Sequence, residues 1–184
     1  LADAARRLQD AADAMRRSAA SGQKGTGESR TAAQRLDEAK RLLDEEKHSQ
    51  VQRDVADAQK SARSMAEQEA KIADDLKKLG GAAAGERQEL SQSLQTRKDA
   101  MVDSLRNLMQ RLDRSAVQNG RLAPKTARAI GEAADSLRGK RMEDRVRVTR
   151  QAVGSAPPEN IEPLERTIGE GLGDLERRLE RAAE

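Results

Sequence analysis

Aliphatic residues recur along most of this chain at alternating steps of three and four, with charged residues filling the positions between, which is the period of an amphipathic helix rather than of a strand. Leu1, Ala4, Leu8, Ala11 and Met15 put one stripe on a first helix over about residues 1–20. Ser21 to Ser29 carries three glycines and no large apolar residue, and reads as a flexible connection.

From Arg30 to Leu79 neither glycine nor proline interrupts the pattern. A helix over about 30–79 would be roughly 75 Å long, and that length argues for a coiled coil. Val51, Val55, Ala58, Ala62, Met65, Ile72, Leu76 and Leu79 follow one stripe, in which Glu69 is the single polar intruder. Leu36, Ala39 and Leu43 lie in a different phase, so a stutter falls between the two stretches. Gly80, Gly81 and Gly85 mark a turn, because a helix C-terminus favours residues that tolerate positive φ. The next helix, about 86–118, aligns Leu90, Leu94, Met101, Leu105, Leu108 and Leu112 before Asn119-Gly120 ends it. The first and third helices together match the second in length, which predicts that both lie antiparallel on it, one at each end.

All four prolines come after residue 120. Pro124 suits the first turn of a helix over about 124–138. Gly139 marks a break before a helix over about 140–153, and Gly154-Ser155-Ala156-Pro157-Pro158 is a stop. A last helix, about 159–183, carries Ile161, Leu164, Ile168, Leu172, Leu175 and Leu179, with Gly169, Gly171 and Gly173 either weakening it or permitting close approach. The expected fold class is all-α: an elongated antiparallel coiled coil or bundle over 1–120, followed by a shorter C-terminal helical segment over 121–184.

Composition sharpens this picture. With no Phe, Trp or Tyr, the chain lacks the side chains that bury the most area each, so its apolar stripes must close against one another as thin seams. Its low aliphatic content alone would suggest disorder. Against that, 35 basic residues offset 32 acidic ones to a net charge of +3, whereas charge-driven disorder needs a large imbalance. The absence of cysteine excludes disulfides, thiolate metal sites and cysteine nucleophiles. No apolar run is long enough to span a bilayer and no signal-peptide core opens the chain, so the chain itself is expected to be soluble. It begins at Leu1 rather than Met, as an excised segment or processed product would, and the excess of Arg over Lys fits a GC-rich bacterial genome.

Charge is uneven only near the C-terminus. Arg138, Lys140, Arg141, Arg145, Arg147 and Arg150 precede a helix rich in Glu and Asp, and the two stretches are expected to pack side by side. The same six residues are the candidate polyanion-binding set, for nucleic acid or anionic lipid. Glu143 and Asp144 interrupt that set and there is no aromatic on which a base could stack, which argues against nucleic acid. The one histidine, His48, forms a Glu-x-x-His with Glu45, but a di-iron bundle site needs two such motifs, so a solvated histidine is expected. Gly22, Gly25 and Gly27 do not match a phosphate-binding loop. Neither a catalytic, a metal nor a cofactor site is expected. The Ala-rich stripes favour helical protein partners or self-association over membrane insertion.

The run Ile130-Gly-Glu-Ala-Ala-Asp-Ser-Leu-Arg-Gly-Lys-Arg-Met-Glu-Asp-Arg-Val-Arg-Val148, within 127–182, is followed by a proline turn and a Leu/Arg/Glu-rich helix. It resembles the C-terminal part of certain large bacterial membrane-anchored proteins that carry a domain of unknown function. The opening Leu-Ala-Asp-Ala-Ala-Arg-Arg is similar to their upstream helices, while Val148-Thr149 stands where that group often has an aromatic. The resemblance implies a place in the bacterial cell envelope, on the periplasmic side, with any membrane anchor outside this chain. It implies no catalytic residues.

Overall fold

The structure is a computed structural model that describes residues 2–21 and 26–183. It is all-α, with no strand among the described residues: α1 (Ala2–Ser21), α2 (Thr26–Gly81), α3 (Ala84–Asn119), α4 (Pro124–Gly139), α5 (Met142–Ala152) and α6 (Pro158–Ala183). Of the expected flexible connection, residues 22–25 lie outside the described residues, and α2 already begins at Thr26. The turn expected over Gly80–Gly85 shrinks to Ala82 and Ala83, and Gly85 lies inside the first turn of α3. Two compact units part within α2, Leu1–Gln52 and Arg53–Glu184, so the second spans both sides of residue 120, where the prolines suggested a division.

In the first unit, α1 runs antiparallel to the opening stretch of α2: Arg7 pairs with Glu38 at 3.5 Å, and Arg35 donates to the carbonyl of Asp10 at 3.2 Å. The seam is built from alanine, with Ala4, Ala11, Ala14, Ala32 and Ala39 buried. Leu8, Met15 and Leu36, expected on the buried stripes, are instead 42%, 46% and 37% exposed. Interaxial distance depends on the side chains at the contact, so methyl groups allow an approach that a leucine would block.

The second unit is an antiparallel four-rod bundle. Asp54, Ser61 and Asp75 of α2 meet Ser115, Arg111 and Arg97 of α3, so the two helices run in opposite directions. α4 and α5 form one broken rod along α3, with Asp113–Arg138, Arg106–Glu143 and Asp99–Arg150 marking a constant register across the break. α6 runs back against that rod, through Ser136 and Lys140 to Asp174, and against α2, where Gln59 donates to the carbonyl of Leu179 at 3.1 Å. Helices joined by short connections pack as antiparallel neighbours, the arrangement of up-down-up-down bundles.

The break in the third rod is placed by Arg141 rather than Gly139. Arg141 takes the left-handed conformation at φ 50°, and Arg145 Nε donates to the carbonyl of Lys140 at 2.7 Å. Consequently α5 starts at Met142, two residues later than the glycine suggests. Gly154, at φ 88°, ends the rod so close to α3 that a Cβ there would lie 2.6 Å from Ser91 Oγ. The core between the rods is aliphatic from Val55 to Leu79 on α2 and from Ile161 to Leu179 on α6, apart from the buried Glu69, Lys98 and Glu165. Leu164, placed on the buried stripe by spacing, is partly exposed, and Glu165 takes the buried position beside it.

Candidate functional site

Three helices each place a charged residue at a slot where the stripe calls for an aliphatic one. The local pattern is the same in all three: Met65-Glu69-Ile72 on α2, Leu94-Lys98-Met101 on α3 and Ile161-Glu165-Ile168 on α6, a step of four followed by a step of three. Because the flanking apolar residues are held in the core, the helix has no rotation that would bring the charged residue to solvent. The side chains of Lys98, Glu69 and Glu165 retain 0%, 2% and 1% of their exposure. Lys98 Nζ reaches Glu165 Oε2 at 2.6 Å and lies 3.8 Å from Glu69 Oε2, beyond hydrogen-bond reach. The register between α3 and α5, set by Gln95 with Val153 and Asp99 with Arg150, brings the buried Thr149 near the same level. Its hydroxyl is committed to the carbonyl of Val146 at 3.1 Å.

Two carboxylates and one ammonium do not balance if all are ionised, and a buried net charge is costly. Burial, then hydrogen bonding with Glu165, pushes the Glu69 carboxyl up to about 9, and the attraction of Lys98 does not offset them. Glu69 is therefore protonated at neutral pH and can donate its O–H to Glu165, which leaves the cluster electrically neutral. Glu69 Oε1, Glu69 Oε2 and Glu165 Oε1 find no donor among the protein's fixed N–H and O–H groups. The carboxyl proton of Glu69 is one donor, so at least one oxygen of Glu69 stays unsatisfied even in the neutral cluster.

Beside the cluster, a groove of about 640 Å³ between α2 and α6 is lined in part by Glu69 and Glu165, whose unpartnered carboxyl oxygens are closed to solvent. Its walls are small: Ala66, Ala70 and Ala73 on α2 face Gly169 and Gly173 on α6, and a Cβ added to Gly169 would meet nothing within 4 Å. Volumes of this order hold small organic ligands.

The basic stretch packs beside the acidic α6, as expected, but most of its ion pairs are made elsewhere. Arg138 pairs with Asp113 and Asp135, Lys140 with Asp174 at 2.7 Å, Arg147 with Glu143 and Asp144, and Arg150 with Asp99. Arg145 holds the Lys140 carbonyl, and Arg141 is exposed at the helix break. Only Lys140 reaches the acidic α6; the other pairs are with α3 or within the rod. Asp174 is a hub, held well below the usual carboxylate range by hydrogen bonds from Lys140 and Arg178. His48 is exposed, its Nδ1 donating to the carbonyl of Asp44 at 2.7 Å. Among the described residues, no three or more His, Cys, Asp or Glu side chains converge as a metal site, and no helix is long and apolar enough to cross a membrane.

No family model, curated protein or solved structure matches the chain.

Proposed function

We propose that this chain is a non-enzymatic structural and interaction module, an extramembrane helical part of a bacterial envelope protein that presents helical faces to a protein partner or to a second copy of itself. The observation that carries the reading is the inverted packing of the first unit, where Leu8, Met15 and Leu36 stay at the surface while alanines fill the seam. Arg7–Glu38 and Arg35–Asp10 set a register that puts Leu8 level with Leu36. Apolar residues gathered on one helix pair favour docking against another helix, since each buried large aliphatic side chain contributes about 1.5–3 kcal/mol. The envelope setting and periplasmic side rest on the resemblance of residues 127–182, with anchoring assigned to segments outside this chain.

Light scattering on this chain tests the reading. A mass that is a multiple of 20.1 kDa, returning to one chain when Leu8, Met15 and Leu36 are all changed to Gln, is the expected result. A single-chain mass at every concentration, together with no partner captured through that face, counts against it. The alternative, binding of nucleic acid or anionic lipid through residues 138–150, has fewer free charges to work with, because counterion release needs cations not already matched by carboxylates. Its check is retention on an immobilised polyanion at low salt, lost when Arg141 and Arg145 are replaced.

A further inference from the structure

We propose that the Glu69–Lys98–Glu165 cluster is a register lock, which admits α6 to the bundle in one alignment out of several that the aliphatic seams by themselves would accept. The buried positions from Val55 to Leu79 on α2, from Leu94 to Asn119 on α3 and from Ile161 to Ala182 on α6 advance by alternating steps of three and four without a slip. Each stripe therefore repeats every seven residues. After a slide of seven residues, about 10 Å along the helix axis, apolar residues again meet apolar residues. Each stripe also holds one charged residue, and a single alignment brings the three together.

The two-residue turn Ala82-Ala83 keeps α2 and α3 in step, so α6 is the rod whose alignment is left to be chosen. It follows α5 through residues 153–157, which extend to roughly 17 Å, enough to follow a slide of about 10 Å along a neighbour packed roughly 8–10 Å away. Slid one way, Leu172 would stand beside Lys98 and Glu165 would lie level with Leu76. Slid the other way, Pro158 would stand there and Glu165 would lie level with Ala62 and Leu105. Either slide leaves the Glu165 carboxylate among apolar side chains without the Lys98 ammonium, a penalty that only the native alignment avoids. Closure to solvent gives this selection its force, since water would otherwise solvate a mismatched charge. An aliphatic layer of similar volume would hold the rods at least as tightly, so alignment rather than tightness is what the charges decide. Nothing in the lock involves Leu8, Met15 or Leu36, so it stands apart from the association reading and is tested separately.

Double electron–electron resonance between spin labels at Lys60→Cys and Arg166→Cys, exposed sites on α2 and α6 of a chain with no cysteine of its own, reads the alignment directly. The labelled full chain is diluted with unlabelled chain, so that only distances within one molecule count. With the cluster intact, one distance is expected. Replacing Glu69, Lys98 and Glu165 together by Leu, Met and Leu should add populations displaced by up to about 10 Å, while circular dichroism still reports a helical chain. Glu69→Leu combined with Lys98→Glu and Glu165→Lys reverses the ion pair across α3 and α6 and should return the single distance, which a space-filling role would not do. The assignment is overturned by several distances in the parent chain, by an aliphatic variant that keeps the parent distance alone, or by a reversed pair that leaves several populations. An aliphatic variant that loses its helices also overturns it, because the cluster would then be required for folding rather than for alignment.

Discussion

Lys98 of α3 and Glu165 of α6 form a buried ion pair at 2.6 Å that ties together two rods related by the diagonal of the four-rod bundle, where aliphatic side chains would ordinarily meet. Buried pairs of this kind recover their desolvation only when geometry and neighbouring groups cooperate, and removing one partner leaves the other charged without compensation. Lys98→Met should therefore destabilise the second unit by about 3–5 kcal/mol in urea or guanidinium unfolding. Replacing Glu69, Lys98 and Glu165 together by Leu, Met and Leu should be neutral or stabilising, because an aliphatic layer of similar volume carries no desolvation cost. A single Lys98→Met that unfolds like the parent chain would show that the pair is not closed to solvent.

Glu69 gives the protein an alkaline limit. Its folded value lies near 9, above the ordinary glutamate value of about 4.5, so the folded state binds a proton that the unfolded chain has released. The associated stability is fully present below about pH 4.5, declines above it and is lost as pH rises through about 9. Glu69→Gln, which mimics the protonated carboxyl, should flatten this decline, and its Tm should exceed that of the parent chain at pH 9 but not at pH 5. Parallel Tm-against-pH curves for the two proteins would contradict the assignment.

Asp174 acts in the opposite direction. Lys140 and Arg178 hold its carboxylate below the ordinary range, so its contribution is present above about pH 4 and is lost as the medium is acidified through the depressed value. Asp174→Asn should cost on the order of 1 kcal/mol near neutrality, with the partners half in solvent, and progressively less as the pH falls below about 4. Acid titration followed by circular dichroism reads the difference.

The ends of α5 make a contrasting pair. Arg141 holds a left-handed conformation that glycine adopts without steric penalty, so Arg141→Gly should be neutral or stabilise the bundle by up to about 1 kcal/mol. Gly154→Ala should instead destabilise it by more than about 1 kcal/mol, since it combines φ 88° with a 2.6 Å approach to Ser91 Oγ. Thermal unfolding of the two variants should shift in different directions, or at least by clearly different amounts.

The helices themselves were legible because each is specified locally: a three-four stripe, Pro124 in the first turn of α4, and Pro157-Pro158 at the entry to α6 lie in the sequence where they lie in the fold. The cluster was half legible. Glu69 stands out as a polar intruder, and Lys98 and Glu165 occupy the same four-then-three slot between flanking aliphatics, but a long charged side chain at such a slot can as easily reach solvent along its stem. Spacing also favoured Leu164 over Glu165 as the buried residue, because periodicity counts apolar residues and does not register which way a neighbouring helix lies.

Taken alone, the amino-acid order determines that this chain is helical, roughly where each helix starts and stops, and that its seams must be thin, since periodicity, capping and the lack of aromatics act through neighbours along the backbone. Which rods meet was decided only by tertiary packing. Contacts between residues such as Glu69 and Lys98, or Lys98 and Glu165, depend on the mutual rotation of separate helices, which is set by the packing of every residue in the shared core at once. The same packing reversed the expected burial in the first unit, where alanines allow close approach and leave Leu8 and Leu36 outside, and it matched the basic stretch to carboxylates on α3 that are far away in the chain.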